Sequence, residues 1–390
     1  MKVIVIGGGP SGMMASISAS KNNKVILLEK NNQLGIKLLM SGNGRCNLTN
    51  NKSVDEFINN CSKSTRFMYY SLNKFSIKDL MNFFIERNCE LIEEDNNKVF
   101  PKSNKASSIL HVLENQMKEN KVDIKLNHEV YDWIIKDNQI LGVKTNMGNI
   151  YGDHFILTCG GKSFPKTGSN GFGYKLAKRV GHSLTKLYGT EVALVSNDKV
   201  IQDKYLMGLS LSNIKVGLIV DNKLKKQVQG DLIITHFGLS GPIILELSEE
   251  VVLNLRKNKK VQIKITTIEN IEFYKKRLKD NVKNLGPRRW IDYLVSNQER
   301  NMEEISKKEL LKINENLTDF RFNILDSLPI EKATVTAGGI KTNEIDSKTM
   351  KSLKVSNLSI CGEIIDMHGP IGGYNLTLAF ISGYIAGESI

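Results

Sequence analysis

The sequence predicts an α/β fold in which a doubly wound parallel sheet, assembled from both ends of the chain, is interrupted by a β-barrel-like and helical insert. Three observations carry this. A β-branched run at Lys2–Ile6 leads straight into Gly7-Gly8-Gly9-Pro10-Ser11-Gly12. Alternating strand-like stretches begin near residue 187. A strand, a glycine-rich turn and an apolar helix return after residue 331. The expected division is 1–186 and 331–390 for the two parts of the sheet domain and 187–330 for the insert.

The opening unit is the most explicit. Lys2–Ile6 has the texture of a strand buried on both faces. The glycines fit G-x-G-x-x-G: Gly7 permits a tight turn, Gly9 lets backbone approach a pyrophosphate, and Gly12 lets helix and strand pack closely. A helix of small and apolar residues follows at Met13–Ser20, its start offering N–H groups to phosphates. Lys24–Leu28 reads as the second strand and ends in Glu29, seventeen residues past Gly12, where a carboxylate can accept hydrogen bonds from ribose hydroxyls.

Residues 34–50 (LGIKLLMSGNGRCNLTN) concentrate glycine, Arg45, Cys46 and Asn47 in one loop past the second strand. A plain surface loop seldom combines these residues, so this loop is expected beside whatever the glycine turn binds. Cys46 next to Arg45 is a candidate acid, because a cation beside a thiol can tune it; its alternative is a small packing residue.

Two amphipathic helices are expected over Ser64–Asn88, the second capped by Ser76 with Asp79 three residues on, and another over Asn104–Glu119. Val122–Leu126 resumes the parallel sheet. Glu129–Ile135, Gln139–Thr145 and Asn149–Ile156 read as a three-stranded meander. Phe155–Cys159 then runs into Gly160-Gly161, a second close backbone approach, and a helix spans Tyr174–Val180.

In the insert, Thr190–Val195, Gly208–Val220, Lys226–Ile234 and Val261–Thr267 are strand-like, and Ile271–Lys283, Arg288–Val295 and Met302–Asn314 look helical. His236 and Ser240 lie close together in THFGLSGP, but without G-x-S-x-G spacing or a placed acid they make no hydrolase elbow. Asn254–Arg289 holds twelve Lys/Arg against three acids. Within it Lys275, Lys276, Arg277, Arg288 and Arg289 mingle with Tyr274, Trp290 and Tyr293, a pattern suited to gripping and stacking on nucleic acid, with core packing the other reading for Trp290.

Leu358–Cys361 is the returning strand. Asp366 is placed to hydrogen-bond a polyol, and Gly369–Asn375 lets the start of the helix Leu376–Ala386 approach a flat ring.

Composition narrows the class. The net charge of +13, from 54 basic and 41 acidic residues, suits a polyanionic partner or simply a solvated surface. No membrane span or signal peptide is expected, and five scattered cysteines without C-x-x-C point to a reducing cytoplasm. Six histidines without ligand spacing predict no metal.

GGGPSG with Glu29, SGNGRCNLTN at 41–50, THFGLSGP at 235–242, TAGGI at 336–340 and CGEIID…GPIGGYNLTLAFISGYIAG at 361–387 together resemble the HI0933-like (YhiN/BaiN-like) bacterial flavoproteins over nearly the whole chain. The resemblance implies a glutathione-reductase-like FAD domain with an inserted barrel and helices. It places FAD along Gly7, Gly9, Pro10, Ser11 and Gly12 with Glu29 on the adenosine ribose, and Val130 on the adenine side. Lys37, Ser41, Gly44, Arg45, Cys46, Asn47 and Gly160 would come near flavin or pyrophosphate, and Gly362, Asp366, Gly373, Tyr374, Asn375 and Leu376 would hold ribitol and ring. The family often closes on G-Y-T-G-G-Y-N; here Gly369-Pro370-Ile371 replaces its opening. No second dinucleotide unit exists, so NADH or NADPH would dock transiently as reductant.

Similar proteins are linked to dihydrouridine formation in ribosomal RNA, to bile-acid dehydroxylation and to amine oxidation. The basic stretch favours ribosomal RNA as partner, with Cys46 and Arg45 as candidate catalytic residues. The alternatives are a small-molecule dehydrogenase or oxidase and a flavin-stabilised RNA-binding protein without activity.

Overall fold

The computed structural model describes residues 1–390. The chain forms two compact units, Met1–Gly189 with Thr334–Ile390, and Thr190–Ala333.

The first unit is organised on a five-stranded parallel sheet. Its order is Leu358–Ile360, His154–Leu157, Lys2–Ile6, Lys24–Leu28, Asp123–Lys125. Val3, Ile4, Val5, Leu27 and Ile156 are almost wholly excluded from solvent, as expected of β-branched and aliphatic strands covered on both faces. The first helix, Pro10–Ala19, starts three residues earlier than expected, with Pro10 at a position where a missing N–H costs nothing.

The closing helix, Tyr374–Glu388, lies against the first. A Cβ at Gly383 would stand 2.2 Å from the Ser11 carbonyl oxygen, so only glycine permits this approach. Both helices carry small or apolar residues on every side, which is how a helix buried all round must read.

The capping box at Ser76 and Asp79 forms as expected, opening the helix Ile77–Ile85. The stretch before it is a 3-10 turn at Lys63–Met68 running into a short helix, Tyr69–Lys74. The meander is corrected at its third member. It pairs Val130–Lys136, Gln139–Thr145 and Gly148–Tyr151, whereas His154–Leu157 belongs to the parallel sheet. The break falls at Gly152, where a Cβ would lie 2.6 Å from Ile4, and at Asp153, whose carboxylate accepts from the Lys2 N–H at 2.6 Å.

The second unit contains a seven-membered antiparallel sheet whose terminal members, Phe320–Ile324 and Asp326–Ser327, are consecutive parts of one bent stretch. The Leu325 N–H at the bend donates to Val195 O at 2.9 Å, so the sheet closes into a barrel. The helix Pro242–Leu255, unassigned from sequence, buries Leu247 and Val251 against its strands.

One helical expectation is shortened and one is displaced along the chain. Ile271–Lys283 reduces to Leu278–Val282, because the Asn281 side chain holds the preceding backbone in a loop. Its oxygen accepts from the Tyr274 and Lys275 N–H groups, and its amide donates to Arg277 O at 2.8 Å. Met302–Asn314 becomes Lys307–Thr318 behind a capping box at Ser306. No helix of the protein is long and apolar enough to cross a membrane.

Candidate active site

The glycine turn sits at the carboxyl end of the first strand. Gly7 adopts φ +111° and donates to Leu28 O at 2.8 Å, and a Cβ on Gly12 would fall 1.9 Å from Gly7 O. A Cβ on Gly9, by contrast, meets nothing within 4 Å, and no side chain caps the helix that begins there. The turn is therefore tight where it touches protein and open where a phosphate would enter.

Glu29 is buried at the end of the second strand. One carboxylate oxygen accepts from Gly8 N at 2.7 Å, the other from Asn31 N at 2.8 Å and the Asn31 side-chain amide at 2.7 Å. The His128 N–H donates to Glu29 O, which brings the segment leading to buried Val130 alongside. A fixed carboxylate beside an open glycine turn fits the adenosine end of a dinucleotide.

The carboxylate that gathers the most partners here is one the sequence analysis passed over. Glu363 follows Gly362, which adopts φ +86° and whose Cβ would lie 2.4 Å from Ser11 Oγ. Lys37 Nζ donates to Glu363 at 2.8 Å and to Ser163 Oγ at 2.7 Å. The Thr336 N–H donates to the same carboxylate at 3.0 Å, and the Gly161 N–H at 3.3 Å. Gly160, at φ +68°, passes close to Ser169, whose buried hydroxyl has no protein partner. The only local sign of Glu363 was its place directly after a strand and a glycine. Asp366 lies three residues on, half-buried; burial raises its carboxyl and the Thr185 hydroxyl opposes the rise.

The loop after Lys37 behaves differently from expectation at Arg45 and Cys46. Ser41 Oγ donates to Leu38 O, Gly42 and Asn43 are left-handed, and Gly44, at φ +83°, borders open space. The Arg45 guanidinium stacks on Phe100 at 4.2 Å, pairs with Glu94 and donates to Asn104 at 2.8 Å. The Cys46 thiol is fully buried, and burial pushes it up to about 12. Contrary to expectation, Arg45 does not tune Cys46: burial dominates the thiol, and the guanidinium is paired with Glu94.

Asn47 reaches the closing helix. Its side chain accepts from Gly373 N at 3.3 Å and donates to Thr49 O at 3.1 Å. Gly373 is required there, since φ is +93° and a Cβ would meet the Thr49 backbone at 2.4 Å. Tyr374 stacks on Phe57 with centroids 4.6 Å apart, and Asn375 clasps both the N–H and the carbonyl of Gly369. Leu376 is partly exposed in the same turn. Asn47, expected near flavin or pyrophosphate, and Gly373, expected at ribitol and ring, are in direct contact.

In the insert, Lys275, Lys276, Arg277, Arg288 and Arg289 are all exposed. Arg288 lies 3.6 Å from Asp292, and Arg289 donates to Met207 O at 2.9 Å. Tyr274 is 79% exposed, but Trp290 is wholly buried, donating to Thr267 Oγ1 at 2.8 Å, and Tyr293 packs edge-on against Phe320. Of the three aromatics, only Tyr274 faces solvent in full.

The profile described as HI0933-like protein Rossmann domain matches residues 1–389. The chain belongs to the HI0933-like family. Two relatives align along almost their whole length. A protein of Clostridium scindens (strain ATCC 35704 / DSM 5676 / VPI 13733 / 19), named 3-dehydro-bile acid delta(4,6)-reductase, is 26% identical over all of this chain and 98% of its own. A protein of Escherichia coli (strain K12), named ribosomal RNA dihydrouridine synthase, is 27% identical over 99% of this chain and 97% of its own. Among solved structures, the 3-ketosteroid delta1-dehydrogenase of Sterolibacterium denitrificans superposes with a TM-score of 0.54, covering 99% of this chain and 98% of that one. At 13% identity this is a likeness of fold. This HI0933-like protein is an FAD-dependent oxidoreductase; the open turn at Gly9 and the fixed Glu29 have the geometry and chemistry that the adenosine and pyrophosphate of a dinucleotide require.

Proposed function

We propose that this protein reduces a uridine of large-subunit ribosomal RNA to dihydrouridine, with NADH or NADPH as the ultimate reductant. The observation that carries the reading is that Lys275, Lys276, Arg277, Arg288 and Arg289 are all exposed, with solvent-facing Tyr274 beside Lys275, in a protein of net charge +13. Such a surface suits phosphates and an unstacked base rather than a neutral small molecule. The name of the Escherichia coli relative points the same way.

FAD, when bound, supplies a hydride acceptor and donor in one ring system. The chain's own residues bind and orient it. The Gly7–Gly12 turn and Glu29 take the adenosine side, Lys37 and Glu363 the polar middle, and the clasped Gly369–Asn375 loop the start of the closing helix, whose positive end favours negative charge. In the overall reaction the uracil carbon β to the 4-carbonyl gains hydride and its neighbour gains a proton, so uridine, NAD(P)H and one proton give dihydrouridine and NAD(P)+. A stacked base cannot reach a buried cofactor, so the target nucleotide must be unpaired or extruded.

A second reading is favoured by the Clostridium scindens relative: saturation of a small enone, since both named activities act on a double bond conjugated with a carbonyl. Mapping dihydrouridine in ribosomal RNA of a deletion strain, with and without re-expression, decides between them. Loss of one site and its return on complementation is expected; an unchanged map overturns the RNA reading in favour of the enone.

A further inference from the structure

Residues 62–74 present a surface that the insert does not share. Thr65, Met68, Ser71 and Leu72 are buried under this stretch, so its backbone is firmly seated. The stretch carries two consecutive tyrosines, Tyr69 at 49% and Tyr70 at 42% exposure, with exposed Arg66 three residues and exposed Lys63 six residues before Tyr69. Ser71 Oγ donates to Ser347 O at 3.1 Å, holding the loop that sets exposed Lys348 5.6 Å from the Tyr70 ring. Lys74 is tied to Glu388, the nearby carboxylates Glu56 and Asp79 cap Ser53 and Ser76, and Asp346 accepts from the Lys348 backbone N–H; none of them pairs with the side chains of Lys63, Arg66 or Lys348.

We propose that the face formed by Lys63, Arg66, Tyr69, Tyr70 and Lys348 is a docking surface for single-stranded RNA, a proposal that rests on the ribosomal RNA reading above. Two half-exposed rings on consecutive helical residues, one of them beside Lys348 and both on a stretch that also exposes Lys63 and Arg66, match a partner that offers flat bases and phosphates together. The surface also begins at the cofactor loop. The Ser62 N–H donates to His368 O at 3.0 Å, and Thr65 Oγ1 donates to the same oxygen at 3.1 Å. A Cβ on Gly369 would lie 2.9 Å from Cys61 Sγ. A strand stacked on Tyr69 and Tyr70 is thereby led toward Gly369–Asn375 within one compact unit.

The test uses the FAD-loaded full-length protein and a fluorescein-labelled single-stranded oligouridylate of about 15 nucleotides, read by anisotropy over a salt series. Tyr69→Ala with Tyr70→Ala should weaken binding about tenfold or more, while the Phe pair retains it, because stacking needs the ring and not the hydroxyl. Lys63→Gln with Arg66→Gln should flatten log affinity against log salt by about 0.7 per charge removed. An unchanged flavin spectrum in each variant certifies the fold. If the tyrosine variants bind as wild type while glutamine substitutions in the insert weaken binding, this surface is refuted and the RNA reading stands. If wild-type protein does not bind the oligonucleotide, both fall. Capture of phosphatidylglycerol vesicles that is lost in the tyrosine-to-alanine variant, with oligouridylate affinity unchanged, would assign the face to a membrane surface instead.

Discussion

Lys37 and Glu363 meet at 2.8 Å across 326 residues of sequence, and this one pair joins the loop after the second strand to the exit of the returning strand. Glu363→Gln keeps the shape but removes the charge that Lys37, Thr336 and Gly161 share. The expected result is FAD bound several-fold more weakly, since hydrogen bonds to a charged group contribute about 1.5–3 kcal/mol each and this site is partly wet. Lys37→Gln should do the same, and the double variant should lose less than the two losses added. Flavin fluorescence on titration measures all three; strictly additive losses would mean that the two side chains act separately.

Glu29 anchors the other end. Protein denatured after purification should release FAD and not FMN. Glu29→Ala should lower FAD retention by roughly 0.5–1.5 kcal/mol net for each ribose hydrogen bond it removes. Dialysis followed by the flavin-to-protein absorbance ratio reads this directly, and release of FMN alone would refute the assignment.

The insert should behave as a phosphate-binding surface. Replacing Lys275, Lys276, Arg277, Arg288 and Arg289 with Gln should leave the flavin spectrum intact while the salt dependence of RNA binding flattens by about 0.7 per charge removed. An unchanged slope would make these residues a solvated face.

Cys46→Ala tests the packing role directly. A thiol buried completely and pushed up to about 12 is a core side chain, so the variant should reduce substrate at the wild-type rate with a modest loss of stability, about 1 kcal/mol. A rate that falls by orders of magnitude while FAD and RNA still bind would restore the acid role.

His154 predicts an acid limit. It is buried at the start of the strand His154–Leu157, shares a 2.9 Å hydrogen bond with Ser359 of the neighbouring strand, and burial lowers it to about 4. The folded state therefore keeps it neutral while the unfolded chain takes up a proton below about 6.5. Stability is fully present above that pH and drains away as pH falls toward 4, by about 3 kcal/mol in all. His182, also lowered by burial, adds in the same direction. Urea midpoints at pH 7 and pH 5 should fall less in His154→Asn than in wild type; equal falls would sink the assignment.

What could be read from the sequence was what short stretches decide alone. Gly7–Gly12, Glu29 and the Ser76–Asp79 cap depend on neighbours a few residues away, and each sits in the structure in the local setting its spacing implied. Glu363 was invisible because its partners come from Lys37, Gly161 and Thr336, far apart in the chain. The apolar and charged spacing over Ile271–Lys283 suited a helix, but one side chain, Asn281, offered the backbone better partners. Trp290 shows the same limit in reverse: flanking cations suggested a surface, and its indole is in the core.

The embrace of the first helix by the last has a consequence for synthesis. Ser11 and Ala15 are covered by Gly383 and Gly387, so the opening motif leaves the ribosome long before its cover exists. At about 5–20 residues per second, the second half of the chain takes on the order of ten to forty seconds to emerge. Within that interval the barrel unit, Thr190–Ala333, is completed as an unbroken segment while the nucleotide cradle still waits, half built, on the nascent polypeptide. Stable flavin binding is therefore expected only once Gly383 and Gly387 have emerged, and truncations that remove the helix Tyr374–Glu388 should yield colourless protein whose barrel is nevertheless sound.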